Sequence, residues 1–168
     1  MRGWGITVAA CRPVGIAEIE NGLTDLEVGG PQLRRADCLI MLSEARRSSS
    51  EFGPALDAVE QAKLFLSSSG LRRSAPEVAR LEGELLLAND GTEPGRAEAC
   101  FHKALAMARD QHARSLELRA AMSLARLWRE QSRRAEAREL LAPVYGWFTE
   151  GFDTADLTDA KALLDELS

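Results

Sequence analysis

Two sets of small residues recur along the chain at a spacing of about forty. Gly15, Ala55, Ala97 and Ala137 stand 40, 42 and 40 residues apart. Each is followed four and seven positions later by apolar or small residues: Ile19 and Gly22, Val59 and Ala62, Phe101 and Ala104, Leu141 and Val144. Upstream of each lies a second small residue, Gly3, Ser43, Gly83 and Ala125, spaced by 40, 40 and 42. Two independent anchors that keep nearly one period define an internal repeat, and a repeat of this length is one supersecondary unit. Within each unit, apolar residues fall at i, i+3, i+4 and i+7, the spacing that places them on one helical face. The unit is therefore a helical hairpin, and small residues at the anchors let helix backbones approach closely.

Particular residues mark the helices. Cys38, Leu39 and Leu42, then Ala55, Leu56, Val59, Ala62 and Leu66, define the second unit. Val78, Leu81, Leu85 and Leu86, then Ala97, Phe101, Ala104, Leu105 and Met107, define the third. Leu118, Ala121, Leu124, Ala125 and Trp128, then Ala137, Leu140, Leu141, Val144 and Phe148, define the fourth. Ser74-Ala-Pro-Glu77 has the form of a capping box, and Thr92-Glu-Pro94 starts the next helix similarly. Ser67-Ser-Ser-Gly70 and Asn89-Asp-Gly91 read as helix ends, where glycine takes the left-handed conformation. Val28-Gly-Gly-Pro31 separates the first unit from the second, and Pro143 must kink its helix or mark its restart. The units are expected at about 1–31, 32–71, 72–113 and 114–151 of a single domain spanning 1–168. A cap helix at about 154–167, started by Asp153 or Thr154 and carrying Leu157, Ala160, Leu163 and Leu164, would cover the last hairpin. Trp147, Phe148 and Phe152 are expected to pack in the bend before it.

Leu124-Ala125-x-x-Trp128 and Ala97-x-x-x-Phe101-x-x-Ala104 resemble tetratricopeptide (TPR) repeats. Departures are Ser50 and Ser132 at a loop position usually held by Gly, Arg46 where a ring is common, and a period longer than the usual 34 or so. Segments such as Leu81-Glu-Gly-Glu-Leu-Leu-Leu87, Ser115-Leu-Glu-Leu-Arg119 and Tyr145-Gly-Trp-Phe-Thr-Glu-Gly-Phe-Asp153 look like the C-terminal helical-repeat region of large bacterial signalling proteins. In those proteins the repeats follow a class III adenylate/guanylate cyclase or helix-turn-helix domain and a STAND-type ATPase. The resemblance implies an all-α right-handed superhelix of about four antiparallel hairpins, the first incomplete, plus the cap helix. It also implies a protein-interaction module, read here as the excised or degenerate tail of such a protein.

The chemistry-bearing residues support no enzyme reading. Cys11, Cys38 and Cys100 lie far apart without a CxxC pair and read as reduced, mostly buried thiols of a cytoplasmic protein. His102 and His112 would fall on different faces of one helix, so no metal site is expected. Neither a phosphate loop nor a nucleophile elbow is present, and no nucleophile–base pair emerges, so no cofactor or catalytic residue is assigned. No apolar run approaches the roughly 18 residues of a membrane helix. The 21 Lys and Arg against 26 Asp and Glu give a net charge of −5, which argues against nucleic acid.

Stacked hairpins leave a groove lined by their first helices, the default ligand surface. Positions expected to face it are Asp37, Ile40, Glu44 and Arg47, then Arg80 and Glu84, then Arg119, Met122, Arg126 and Arg129. From Arg114 to Arg138 seven arginines meet three glutamates, while 151–168 carries a local charge of −4. The arginines either hold an acidic peptide or carboxylate terminus, or pair with neighbouring Glu and the acidic C-terminal helix. The alternative function is a small-molecule sensor in which the terminal helix closes the groove over an effector. Trp4, Ile6 and Val8, exposed on the incomplete first hairpin, are expected to favour self-association.

Overall fold

A computed structural model describes residues 13–28, 34–89, 91 and 93–168 of the protein. The described residues form eight helices and no strand: α1 (Pro13–Val28), α2 (Arg35–Ser48), α3 (Phe52–Ser69), α4 (Ala75–Asn89), α5 (Pro94–Asp110), α6 (Arg114–Glu130), α7 (Arg134–Tyr145) and α8 (Ala155–Glu166). Gly3, Trp4, Ile6, Val8, Cys11, Gly29–Pro31 and Thr92 lie outside the described residues. Among the described residues no helix is long and apolar enough to cross a membrane.

Packing follows the forty-residue period. Helices α2 and α3, α4 and α5, and α6 and α7 form hairpins, and each hairpin's second helix also lies against the first helix of the next. The first helices touch in a row, α2 on α4, α4 on α6 and α6 on α8. Ala55, Ala97, Ala125 and Ala137 are fully buried, as is Ser43. The closest approach is at Gly83, where a Cβ would sit 2.6 Å from Cε1 of the buried Phe101 ring. At Gly15 and Gly22 a Cβ would meet nothing within 4 Å, so neither of these two glycines is a close-packing anchor.

The core forms two clusters that meet at α4. Leu39, Val59, Val78, Leu81 and Leu85 belong to the smaller, and the larger runs from Ala79 and Phe101 to Leu163 and Leu167. Cys38 and Cys100 are half-buried free thiols whose ionisation burial pushes up.

The turns show how the chain manages without glycine. Gly70 ends α3 at φ +71° and Gly91 follows α4 at φ +63°, as the sequence suggests. Ser50, His112 and Ser132 adopt the same left-handed conformation, at φ 62°, 53° and 64°. Beyond each, an N–H reaches back over the end of its helix: Glu51 to Arg46 O, Ala113 to Ala108 O and Arg133 to Trp128 O, at 2.8–2.9 Å. These bonds occupy carbonyls that the last helical turn leaves unpaired.

Several local expectations are corrected. Ser74 does not form a capping box; its hydroxyl donates to Asp37 Oδ1 at 2.6 Å, and Glu77 binds Arg80 instead. Pro143 lies in the last turn of α7, which ends at Tyr145, so Phe148 is outside the helix. The bend is packed only in part: Phe148 lies against the core and meets Trp147 edge-on at 5.3 Å, and Phe152 is 5.9 Å from the Tyr145 ring, but Trp147 and Phe152 stay about half exposed, with Arg114 stacked 5.0 Å from the Trp147 ring centroid. Thr154 precedes α8, but its hydroxyl donates to Gly151 O and caps nothing. On α8, Leu157, Ala160, Leu163 and the following Leu167 are buried, while Leu164 is half-buried.

Candidate interaction face

The row of first helices carries a continuous polar network. On α4, Arg80 donates through Nε and Nη2 to the two carboxylate oxygens of Glu77, at 3.1 and 2.8 Å, and through Nη1 to Glu84 at 2.9 Å. The spacing explains this, because residues three and four apart on a helix are neighbours. Arg80 Nη2 also reaches Glu44 of α2 at 3.4 Å. From α6, Arg119 lies 3.5 Å from Glu77 and donates through Nε to Asp156 of α8 at 2.8 Å. Ser123 of α6 donates to Glu84 at 2.7 Å, and Arg129 pairs with Glu166 of α8. Four helices are thus tied together across one face.

Charge is tuned by these contacts. Burial alone would raise the Glu77 carboxyl, but Arg80 and Arg119 outweigh it and hold it below the usual carboxylate range. Burial disfavours the Arg80 cation, yet Glu77, Glu84 and Glu44 hold its pKa above the ordinary arginine value. Glu44 goes the other way: burial and the nearby Glu77 charge raise its pKa, against Arg80, Arg119 and Arg47.

The expected site residues divide into three groups. Arg47, Arg80, Glu84 and Arg119 are brought together in the network, with Arg47 at its edge, 3.9 Å from Glu84. The Arg47 Nε is buried without a hydrogen-bond partner. Arg129 is neutralised by α8, as are Arg114 by Glu117 and Arg133 by Glu98 and Glu136, so the pairing reading describes most of the arginine stripe. Met122 is a correction: it is 4 % exposed and part of the core, and Ile40 also packs on the core. Asp37 binds Ser74 and Arg73. Arg126 is different, half-buried and without an ion pair or hydrogen bond among the described residues.

Glu77, Ser123 and Asp156 belong to the network although the sequence did not single them out for this face. For Ser123 and Asp156 the signal is a separation just under one repeat, 39 from Glu84 and 37 from Arg119, while Glu77 lies 42 from Arg119. Among the described residues no three His, Cys, Asp or Glu side chains are placed to hold a metal. Compared with protein-family models, curated proteins and solved structures, the chain has no match in any of the three.

Proposed function

We propose that this protein is a TPR-type helical-repeat module that binds an acidic protein segment along the face of α2, α4, α6 and α8. The observation that carries the reading is Arg126. Arg119 and Arg129, on the same helix, are each occupied by an acid of α8, whereas Arg126 between them has no partner. A half-buried guanidinium without an acid is a site where a carboxylate from outside completes a two-pronged contact. The forty-residue hairpin period, the row of first helices and the Gly83–Phe101 approach support the TPR-like stacking. In the architecture that the sequence resembles, such a module couples partner recognition to an ATPase or cyclase, and we extend that role to this chain.

The test is Arg126→Glu. Binding of a fluorescent Asp/Glu-rich peptide with a free C-terminal carboxylate, read by anisotropy at low salt, should weaken at least about tenfold. The melting temperature should stay within about 2 °C, because no native partner is lost. Unchanged peptide affinity rejects the proposal. Charge reversal at Arg119 is the wrong experiment, since it would face the buried Glu77 with a second negative charge.

A further inference from the structure

On the other side of α4, a cleft of about 160 Å³ opens between α3, α4 and α5. Leu66, Val78, Ala79 and Met107 give it an apolar lining, and Lys63, Glu82 and Lys103 stand among them. The repeat register shows that packing does not require these charges. Lys63 is eight positions beyond its anchor Ala55, where the flanking units have Leu23 and Leu105. Glu82 immediately precedes its anchor Gly83, where the second and fourth units have Leu42 and Leu124. Leu42, Leu105 and Leu124 are buried. In repeat register the steps on either side have leucine at both positions, whereas the middle step has Lys63 donating to Glu82 at 3.0 Å. Lys103 corresponds to Gln61 and Pro143, neither of them cationic.

Lysine is rare here, at positions 63, 103 and 161 only, so two of three lysines meet at this cleft while arginine supplies nearly all other cations. A lysine ammonium is a compact point charge, suited to one anionic group at a narrow mouth. Lys63 is already held by Glu60 and Glu82, at 2.7 and 3.0 Å. Among the described residues Lys103 has no acid partner. Its charge attracts one carboxylate, and the neighbouring Glu82 disfavours a second. A cavity of about 150 Å³ holds a benzene ring, which sets the apolar part of a ligand at about six carbons.

We propose that this cleft binds a small monocarboxylate with an apolar group of that size, its carboxylate on Lys103 and its apolar part over Leu66, Val78 and Met107. The site is separate from the Arg126 face and stands or falls independently of it.

The test titrates the full chain with hexanoate and benzoate, read by amide NMR shifts of residues 75–82 and 103–107. The corresponding alcohols and the dicarboxylate adipate serve as controls, and Arg126→Glu should bind as the parent does. The two acids should saturate with a roughly millimolar Kd, as a ligand of eight or nine heavy atoms in an open cleft allows. The alcohols, adipate and Lys103→Glu should each bind at least about fivefold more weakly. Lys63→Leu/Glu82→Leu, which copies the flanking steps, should fill the cleft and abolish the shifts. Absence of saturable shifts up to roughly 20 mM, a concentration well above the expected Kd, overturns the proposal. Equal binding of acid and alcohol, or full binding by Lys103→Glu, does so too.

Discussion

Gly83→Ala should destabilise the protein, although alanine is the better helix former. In a helix interior the substitution is worth about 1 kcal/mol in favour of Ala, because glycine loses more backbone freedom on folding. Against that gain, the new methyl would stand 2.6, 2.9 and 3.0 Å from Cε1, Cδ1 and Cζ of Phe101. Ordinary carbon contacts lie at about 3.5–4.0 Å, so the ring or the helix must move by about an ångström. Phe101 is 1 % exposed and cannot swing into solvent. Overpacking of this kind costs about 1–3 kcal/mol, leaving a net loss of about 1 kcal/mol, or roughly 2–4 °C in Tm for a chain of this size. The repeat supplies the control. The same register holds Ser43 with Val59 and Ala125 with Leu141, so the smallest anchor faces the largest partner. In a Phe101→Leu background, which copies the fourth unit, Gly83→Ala should become stabilising by about 1 kcal/mol, a coupling of about 2 kcal/mol. Four proteins, melted by circular dichroism and by urea, complete the cycle. If Gly83→Ala raises Tm in both backgrounds, the approach of α4 and α5 is not limited by that ring and the argument fails.

Other perturbations follow from the turns, the network and the cleft. Ser50→Gly and Ser132→Gly relieve left-handed backbone at φ 62° and 64° and should each add about 0.5–1 kcal/mol, whereas Gly70→Ala at φ +71° should remove a similar amount; thermal melts check the signs. Glu77→Gln at pH 7 should cost about 3 kcal/mol by leaving Arg80 partly uncompensated. Because the native Glu77 pKa is depressed, its contribution is full well above pH 4.5 and fades as pH falls through the folded value, so the gap from the parent should close in acid. Glu44→Gln should act in the opposite sense, raising Tm modestly at pH 7, with the advantage lost in acid where the native Glu44 is already protonated. Lys63→Leu/Glu82→Leu replaces a partly buried ion pair by apolar contact and should stabilise by about 1–3 kcal/mol in denaturant melts.

The period placed the helices because it depends on burial by stacking, which leaves a mark every forty residues. Individual faces were less legible where a helix is covered on several sides. Helix α6 touches α4, α5, α7 and α8, and Leu118, Ala120 to Ala125, Leu127 and Trp128 are all buried on it. Its apolar pattern is the most one-sided of the eight helices, but burial extends beyond that stripe to Glu117 and Ser123, so spacing alone put Met122 on the open face when it belongs to the core. The aromatic residues after α7 are legible only in part: Phe148 packs on the core and touches Trp147, as the bend requires. Pro143 ends the helix within one turn, and nothing in the local pattern says that Trp147 and Phe152 then remain half exposed. Ser74 shows the same limit at one residue: its capping-box spacing is genuine, but Asp37, 37 positions away, takes the hydroxyl.

The candidate face was legible in its arginines and not in their partners, and the repeat explains why. A side chain on one first helix meets a partner on the next at about one period: Glu44 to Arg80 is 36 residues, Arg119 to Asp156 and Arg129 to Glu166 are 37, Glu84 to Ser123 is 39 and Glu77 to Arg119 is 42. Offsets within about one helical turn of the period are what neighbouring parallel elements give, so they join residues that a single-helix pattern never compares. At 37 residues from Arg126 stand Leu163, a core residue of α8, and Asn89, the exposed last residue of α4, whereas the offsets of 39 and 42 also found on this face reach Asp165 and Glu84. Both acids are already held, Asp165 by Lys161 and Glu84 by Arg80 and Ser123. Among the described residues Arg126 is unpaired because the acids within one repeat of it are engaged elsewhere, and the outside carboxylate proposed for it is what Arg126→Glu tests.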